Sequence, residues 1–249
     1  MILGFDTSSA LTSVAVIDGT RVVAERRHLD ARRHAEVLAP MLAEVCNDID
    51  TTTVSAVACG VGPGPYTGLR VGIATALAVG MAWRIPVYGI CSLDAIAAAA
   101  FASGNWSDGD DVLVAVDARR SEVYWARYVT GCVRIDGPRV SRAAEIDSEL
   151  RARVWIGHGA AIHADSFGSV AARDDAADSL GYPQASWVAM RTGDLLAAGA
   201  STDVSDAVPL DSHGDDSGAT ALALRGAALL PPRPLYLRRP DAVAAVKAS

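Results

Sequence analysis

The densest chemical signal in the chain is a run of glycines and prolines, Gly60-Val61-Gly62-Pro63-Gly64-Pro65-Tyr66-Thr67-Gly68-Leu69-Arg70-Val71-Gly72. Between a strand and a helix, such a loop turns sharply and aims backbone N–H groups at an anion. It matches neither common phosphate fingerprint: no Gly-Lys-Ser/Thr follows, and a dinucleotide loop would need glycine at Pro65. Pro63 and Pro65 also withhold two donors. A structural or docking loop is therefore the favoured reading of Gly62, Pro63, Gly64, Tyr66, Thr67, Gly68 and Arg70, with a phosphate loop as the alternative. Two aspartates follow apolar runs, in Leu3-Gly4-Phe5-Asp6 and Ala115-Val116-Asp117. Such carboxylates serve catalysis in some folds, yet acids at strand ends also cap turns through their own backbone. His28, His34, His158, His163 and His213 show neither one-turn spacing nor an H-E-x-x-H pattern, so each reads as structural.

The elements that position these residues are legible from periodicity. Ile2 to Asp6, Thr12 to Ile17 and Arg21 to Arg27 alternate as a three-stranded meander, with Asp18-Gly19 as a tight turn. A helix from Arg33 to Asn47 carries Val37, Leu38, Met41, Leu42 and Val45 at helical spacing, and Val54 to Cys59 reads as a buried strand. A helix from Gly68 to Trp83, a strand Val87 to Ile90, and an alanine-rich helix from Ser92, read as its N-cap, to Phe101 complete the half. The polar loop at 103–111 then divides residues 1–103 from a second lobe over 110–249. Val112 to Asp117, Glu122 to Tyr128 and Cys132 to Ile135 repeat the meander. Helices at Arg142 to Leu150, Ala160 to Ala171 and Trp187 to Ala198 flank the strand Val154 to Ile156. This repeated order is the layout of the α/β, duplicated ribonuclease-H-like, two-lobe fold of actin, sugar kinases and heat-shock ATPases. ATPases of that fold need a glycine-bearing turn in each meander. The turns here, Thr7-Ser8-Ser9-Ala10 and Ala118-Arg119-Arg120-Ser121, contain none. Asp6, Thr7, Asp117 and Arg119 are accordingly read as a degenerate nucleotide or inter-lobe site.

Composition narrows the setting. With 51% hydrophobic and 20% charged residues among 249, the chain is long enough to bury a sizeable core. No run approaches a bilayer span and no basic stretch precedes Ile2, so a cytoplasmic location without membrane contact is expected. The net charge of −7, with Lys247 the one lysine, repels polyanions. Arg26-Arg27, Arg32-Arg33 and Arg238-Arg239 read as solvated faces. Cys46, Cys59, Cys91 and Cys132 are too scattered for a zinc or disulfide framework and read as buried thiols. The Asp/Ser/Gly/Ala/Pro-rich stretch 202–232 is expected to be a mobile insertion.

The sequence resembles the TsaB (also called YeaZ) family. The resemblance is carried by Ile2 to Ser8, Ser13 to Val16, His34 to Pro40, the Gly62 to Gly72 block, Ile85-Pro86-Val87, Cys91 to Ala95, Asp117-Ala118-Arg119, Glu122-Val123-Tyr124, Gly157 to Ala160 and Tyr236-Leu237-Arg238. It is dense up to about residue 125 and thin afterwards, and Pro65 stands where the family usually has serine. The resemblance implies a non-catalytic subunit of the complex that installs threonylcarbamoyladenosine in tRNA. That subunit pairs with the metal-dependent transferase TsaD, to whose N-terminal half the family is similar, and the ATPase TsaE joins the pair. It implies tRNA contact only through the complex, and ATP and a metal ion used by the partners with no cofactor held by this chain. A homodimer of the isolated chain stays open. A TsaD-like metal site would place two histidines one turn apart at Ser92 and Ile96, and neither side chain replaces an imidazole.

The expected docking surface is the pair of helices 33–47 and 68–83, through His34, Val37, Leu38, Met41, Leu69, Gly72, Ile73, Ala76, Leu77 and Gly80. Gly68, Gly72, Ala76 and Gly80 form a smooth row that would let a partner helix approach, so an arginine at Gly72 is expected to block binding in a folded monomer. The competing readings are a residual ATP-binding small-molecule kinase and a metallopeptidase, the latter lacking any zinc motif.

Overall fold

The computed structural model describes residues 1–106, 109–171, 180–200 and 229–237. Strands β1 (Ile2–Asp6), β2 (Leu11–Asp18) and β3 (Arg21–Leu29) form the first meander. They are followed by α1 (His34–Asn47), β4 (Ala56–Gly60), α2 (Tyr66–Trp83), β5 (Val87–Ile90) and α3 (Ser92–Ala102). The second half repeats with β6 (Asp111–Asp117), β7 (Glu122–Val129), β8 (Val133–Arg142), α4 (Ser148–Arg151), β9 (Val154–Ile156), α5 (His158–Ile162), β10 (Ser169–Val170) and α6 (Ala185–Ala197). Both sheets share one order, β3-β2-β1-β4-β5 and β8-β7-β6-β9-β10. In each, the meander is antiparallel and the last two strands are parallel to the first. The chain thus has the duplicated ribonuclease-H-like fold.

Period-two alternation decides what each face buries. Leu3 and Phe5 of β1 point with Val14, Val16 and Val57 into a core closed by Leu38, Met41 and Val45 of α1 and Leu69, Ile73 and Ala76 of α2. The opposite face is covered from the other half of the chain, because α6 lays Val188 and Leu195 on Ala58 and Ile90. Gly4 permits this approach, since a Cβ there would stand 2.3 Å from the Ala185 carbonyl oxygen. Reciprocally, α3 packs Leu93, Ile96 and Ala97 on Val112, Val114 and Tyr128 of the second sheet. The two halves exchange their last helices and hold each other in register. Among the described residues, no helix is long and apolar enough to cross a membrane.

Several expected elements are corrected. In place of a helix over 142–150, β8 continues to Arg142, paired with Glu122, and only a short 3-10 turn and α4 follow. The helix expected from Ala160 to Ala171 is replaced by α5, a 3-10 turn and β10, and α2 starts at Tyr66 instead of Gly68. Ser92 is the first helical residue of α3 and Cys91 its N-cap, because the serine hydroxyl is engaged elsewhere. Cys46 is half-buried where a buried thiol was expected, whereas burial pushes the Cys59, Cys91 and Cys132 thiols up to about 12. Most of the stretch expected to be mobile, residues 202–228, lies outside the described residues, as do Arg238-Arg239, His213 and Lys247. Its described end is ordered into the fold: Leu229 is buried, and Leu230 pairs with Gly89 through two hydrogen bonds of 2.7 and 2.9 Å.

Candidate functional site

The Gly-Pro loop lies directly on the β1–β2 turn. Asp6 ends β1 with 1% of its surface exposed. Its Oδ1 accepts hydrogen bonds of 2.8 Å from both the backbone N–H and the hydroxyl of Ser8, and its Oδ2 accepts one of 2.8 Å from the Ser92 hydroxyl. Ser92 Oγ in turn accepts the Gly62 N–H at 3.2 Å, while the Ser92 N–H donates to the Gly62 carbonyl at 2.8 Å. A relay therefore runs from the loop through Ser92 into the buried carboxylate. Burial raises the Asp6 carboxyl to about 6, against the opposing hydrogen bonds from Ser8 and Ser92.

Glycine is required where the loop and α2 touch this turn. A Cβ on Gly60 would stand 1.8 Å from Asp6 Oδ2, on Gly64 2.1 Å from the Ser8 carbonyl oxygen, and on Gly72 2.3 Å from Thr7 Oγ1. The Thr7 hydroxyl donates to the Gly68 carbonyl at 2.7 Å, fixing α2 to the strand end. His34 sits behind Gly68 with its Nδ1 2.7 Å from Thr12 Oγ1, and burial lowers its pKa. Pro65 is the N-cap of α2 and supplies no side-chain acceptor.

This arrangement is already saturated by the chain's own groups. The Gly62 N–H is spent on Ser92, Pro63 and Pro65 carry no N–H, and the Asp6 oxygens are occupied by hydroxyls. These commitments favour the structural reading of the loop over the phosphate-loop alternative. Ser92 is committed to Asp6, and Ile96 is buried against the second sheet, so the two do not fit a metal. Among the described residues no three His, Cys, Asp or Glu side chains are grouped to hold one.

The second strand-end aspartate has a different setting. Asp117 is half-buried; its Oδ1 accepts the Arg119 N–H at 2.8 Å, and Oδ2 lies 3.5 Å from Arg119 Nη1. Arg119, Arg120 and Ser121 all have positive φ, at 63, 56 and 61°. Among the described residues no hydrogen bond or ion pair joins this exposed turn to Asp6.

The helix pair is also corrected in its orientation. The glycine row of α2 faces inward, Gly68 and Gly72 against Thr7 and Gly80 against Val87. His34, Leu38, Met41, Leu69, Ile73 and Ala76 are buried in the chain's own core. Of the expected docking residues only half-buried Val37 and Leu77, 39% exposed, reach the surface. The outward side carries apolar residues among polar ones: Met81 is 80% exposed, Ala74, Ala78 and Ala82 are exposed on α2 with Arg70, and α1 exposes Ala35, Ala39, Pro40 and Ala43 with Glu36 and Glu44.

Two features escaped the sequence reading. Asp94, alone among apolar neighbours on α3, accepts the Tyr128 hydroxyl at 2.6 Å and the Arg134 Nε and Nη2 at 3.1 Å, tying α3 to the second sheet. Burial, with Asp94 beside it, raises the Tyr128 phenol well above its ordinary value. A carboxylate on a helix otherwise written in Leu, Ala and Ile was the available signal. Secondly, the Tyr236 ring stacks on Tyr66 at 4.9 Å, with Arg70 over the Tyr66 ring at 4.0 Å, and the Leu235 N–H donates to the Val61 carbonyl at 2.7 Å. The late segment of the chain thereby straps the outside of the Gly-Pro loop.

Known proteins resemble this arrangement. A family model described as TsaD, tRNA N6-adenosine threonylcarbamoyltransferase, matches residues 24–152, just over half of the chain. An uncharacterized protein of Mycobacterium tuberculosis is 45% identical over 150 residues, 59% of this chain and 67% of that protein. The Escherichia coli tRNA threonylcarbamoyladenosine biosynthesis protein TsaB is 36% identical over 132 residues, 51% of this chain and 54% of its own length. Among solved structures, YeaZ from Pseudomonas aeruginosa superposes with a TM-score of 0.66 at 26% identity, covering 80% of this chain and 92% of that one.

Proposed function

The chain belongs to the TsaB/YeaZ family, and from that premise we propose that it is an accessory subunit in the biosynthesis of threonylcarbamoyladenosine in tRNA, docking and activating a TsaD-type transferase. The observation that carries this reading is the outward side of α1 and α2. Large apolar side chains at Leu77 and Met81 stand in water on a helix pair whose inner side is already packed. Exposed large apolar side chains beside small ones suit a protein contact, and a second helix pair of similar shape covers them without the glycine row taking part. An interface of about 1,600 Å² would be of ordinary size.

In this reading the strand-end turns are scaffolding. The saturated Asp6 relay holds the Gly-Pro loop and the first turn of α2, and that rigidity presents the docking side. ATP and the metal ion belong to the partners, a TsaE-type ATPase joins the pair, and tRNA is held by other subunits because this chain carries a charge of −7. In isolation the same apolar side pairs two copies of the chain, in the same compartment as its cytoplasmic partners.

The test is co-purification with TsaD and tRNA modification assays with and without the chain. A Leu77→Glu/Met81→Glu double variant should keep its melting temperature, lose TsaD by a hundredfold or more, and fail to support modification. Unchanged capture of TsaD by the folded double variant would sink this docking surface. Full modification without the chain would sink the accessory role itself.

A further inference from the structure

Two arginines are buried where the halves meet, and one has no counter-ion among the described residues. Arg134 is paired with Asp94 by two hydrogen bonds of 3.1 Å. Among the described residues Arg191 on α6, 9% exposed, has a single hydrogen bond, from Nη2 to the Cys132 carbonyl at 3.2 Å. Its Nε is buried without a partner, and among the described residues no carboxylate lies within ion-pair distance of it. An unpaired guanidinium in such surroundings carries a desolvation cost that a bound anion offsets.

Arg191 lines a cleft of about 230 Å³ between α3, α6 and the β7–β8 turn. Phe101 and Ala102 of α3 and Trp187 and Met190 of α6 give it apolar, partly aromatic walls. On α6 the lining residues Trp187, Met190, Arg191 and Asp194 follow helical spacing, so they share one side of the helix. Asp194 is exposed at this cleft and makes no ion pair with Arg191. Its charge penalises a doubly charged anion more than a singly charged one. The volume falls below the roughly 300 Å³ at which sites for drug-sized ligands begin, so the occupant is small.

We propose that this cleft binds a small monocarboxylate with an apolar or aromatic body, its carboxylate on Arg191 and its body between Trp187 and Phe101. A planar guanidinium suits a carboxylate through charge-assisted hydrogen bonds, and the walls supply the apolar contact.

Fluorine NMR on the full chain tests this with para-fluorobenzoate as the probe, its neutral amide as control and inorganic phosphate as competitor. The acid should bind in the millimolar range or tighter and the amide at least tenfold more weakly, and phosphate should not displace the acid. Arg191→Gln should weaken binding of the acid tenfold or more. Ala102→Trp, at an exposed position that overhangs the cleft, should do the same while leaving the fold intact, and it decides the matter alone if Arg191→Gln does not fold. Absence of binding, equal binding of acid and amide, displacement by phosphate, or undiminished binding to folded Ala102→Trp would each overturn the proposal.

Discussion

Both halves end their first strand in an aspartate, and the two aspartates have been put to opposite uses. Asp6 is enclosed: Ser8, Ser92 and the Gly-Pro loop occupy its oxygens, and glycines at 60, 64 and 72 bring backbone against its turn. Asp117 stands half-buried beside an exposed turn in which three consecutive non-glycine residues are left-handed. The topology is the same, so the difference lies in what packs on each strand end. The first half encloses its carboxylate, whereas the second, although Gly157 and Gly159 bring backbone against β6, leaves its turn in water and tolerates backbone strain there. A strand-end carboxylate in this fold is therefore no sign of chemistry until its surroundings are known.

The largest effect should come from breaching the first enclosure. Gly72→Arg places a long charged side chain on Thr7, and overpacking together with an unpaired buried charge should cost more than about 4 kcal/mol, leaving little folded monomer. Circular dichroism and urea unfolding measure this. A folded variant of near wild-type stability would mean that α2 can turn its glycine row outward after all.

Next in size is a pH dependence peculiar to Asp6. Its folded-state value of about 6 lies above the 3.8 of the unfolded chain, because burial disfavours the charged form. The folded chain therefore binds this proton more tightly, and protonation favours folding. The stabilisation is fully present below about pH 3.8 and is lost as pH rises through about 6. A shift of about two units corresponds to about 3 kcal/mol. The stability of the wild type relative to Asp6→Asn should thus fall by about 3 kcal/mol between pH 4 and 7, most of it before about pH 6. Parallel stability curves for the two proteins would show that Asp6 is not held in a desolvated site.

How much of this was visible beforehand depends on the range of the interaction. The strands β1 and β5, whose signals are local alternation and flanking turn residues, matched their expected bounds, and so did the end of α1 at Asn47. The repeat of the halves was equally legible. The orientation of α2 was not, because a helix apolar nearly all round has no preferred side in sequence. Its glycines were read as an approach for a partner, when the closest neighbour is Thr7 of the chain itself. The helix expected over 142–150 failed for a related reason: pairing of Ser141 and Arg142 with Val123 and Glu122 outweighs the helix propensity of the alanines and glutamate that follow. The Asp94–Arg134 pair joins residues 40 apart, and no local pattern announces it.

A smaller effect is expected at the second strand end. Asp117→Ala removes the acceptor of the Arg119 N–H and a contact of 3.5 Å to its guanidinium. Water replaces the first at an exposed turn, and surface ion pairs contribute little, so the loss should stay below about 1 kcal/mol. A loss of about 3 kcal/mol or more in urea unfolding would place Asp117 in a network comparable to that of Asp6 and erase the contrast between the halves.

The smallest effect should have the opposite sign. Ser121 has φ of 61°, is exposed, and closes the left-handed run after Arg119 and Arg120. A side chain in this region costs roughly 1–2 kcal/mol, which glycine avoids. Glycine also widens the unfolded ensemble, which returns about 0.4–1 kcal/mol of the gain. Ser121→Gly should therefore stabilise the chain by about 0.5 kcal/mol, the balance of those two terms. In the first half the reverse holds: Ser8→Gly removes the hydroxyl that donates to Asp6 at 2.8 Å and should destabilise. Paired urea titrations of the two variants give the comparison directly. If both shift in the same direction, strain at one turn and enclosure at the other is the wrong description of the two strand ends.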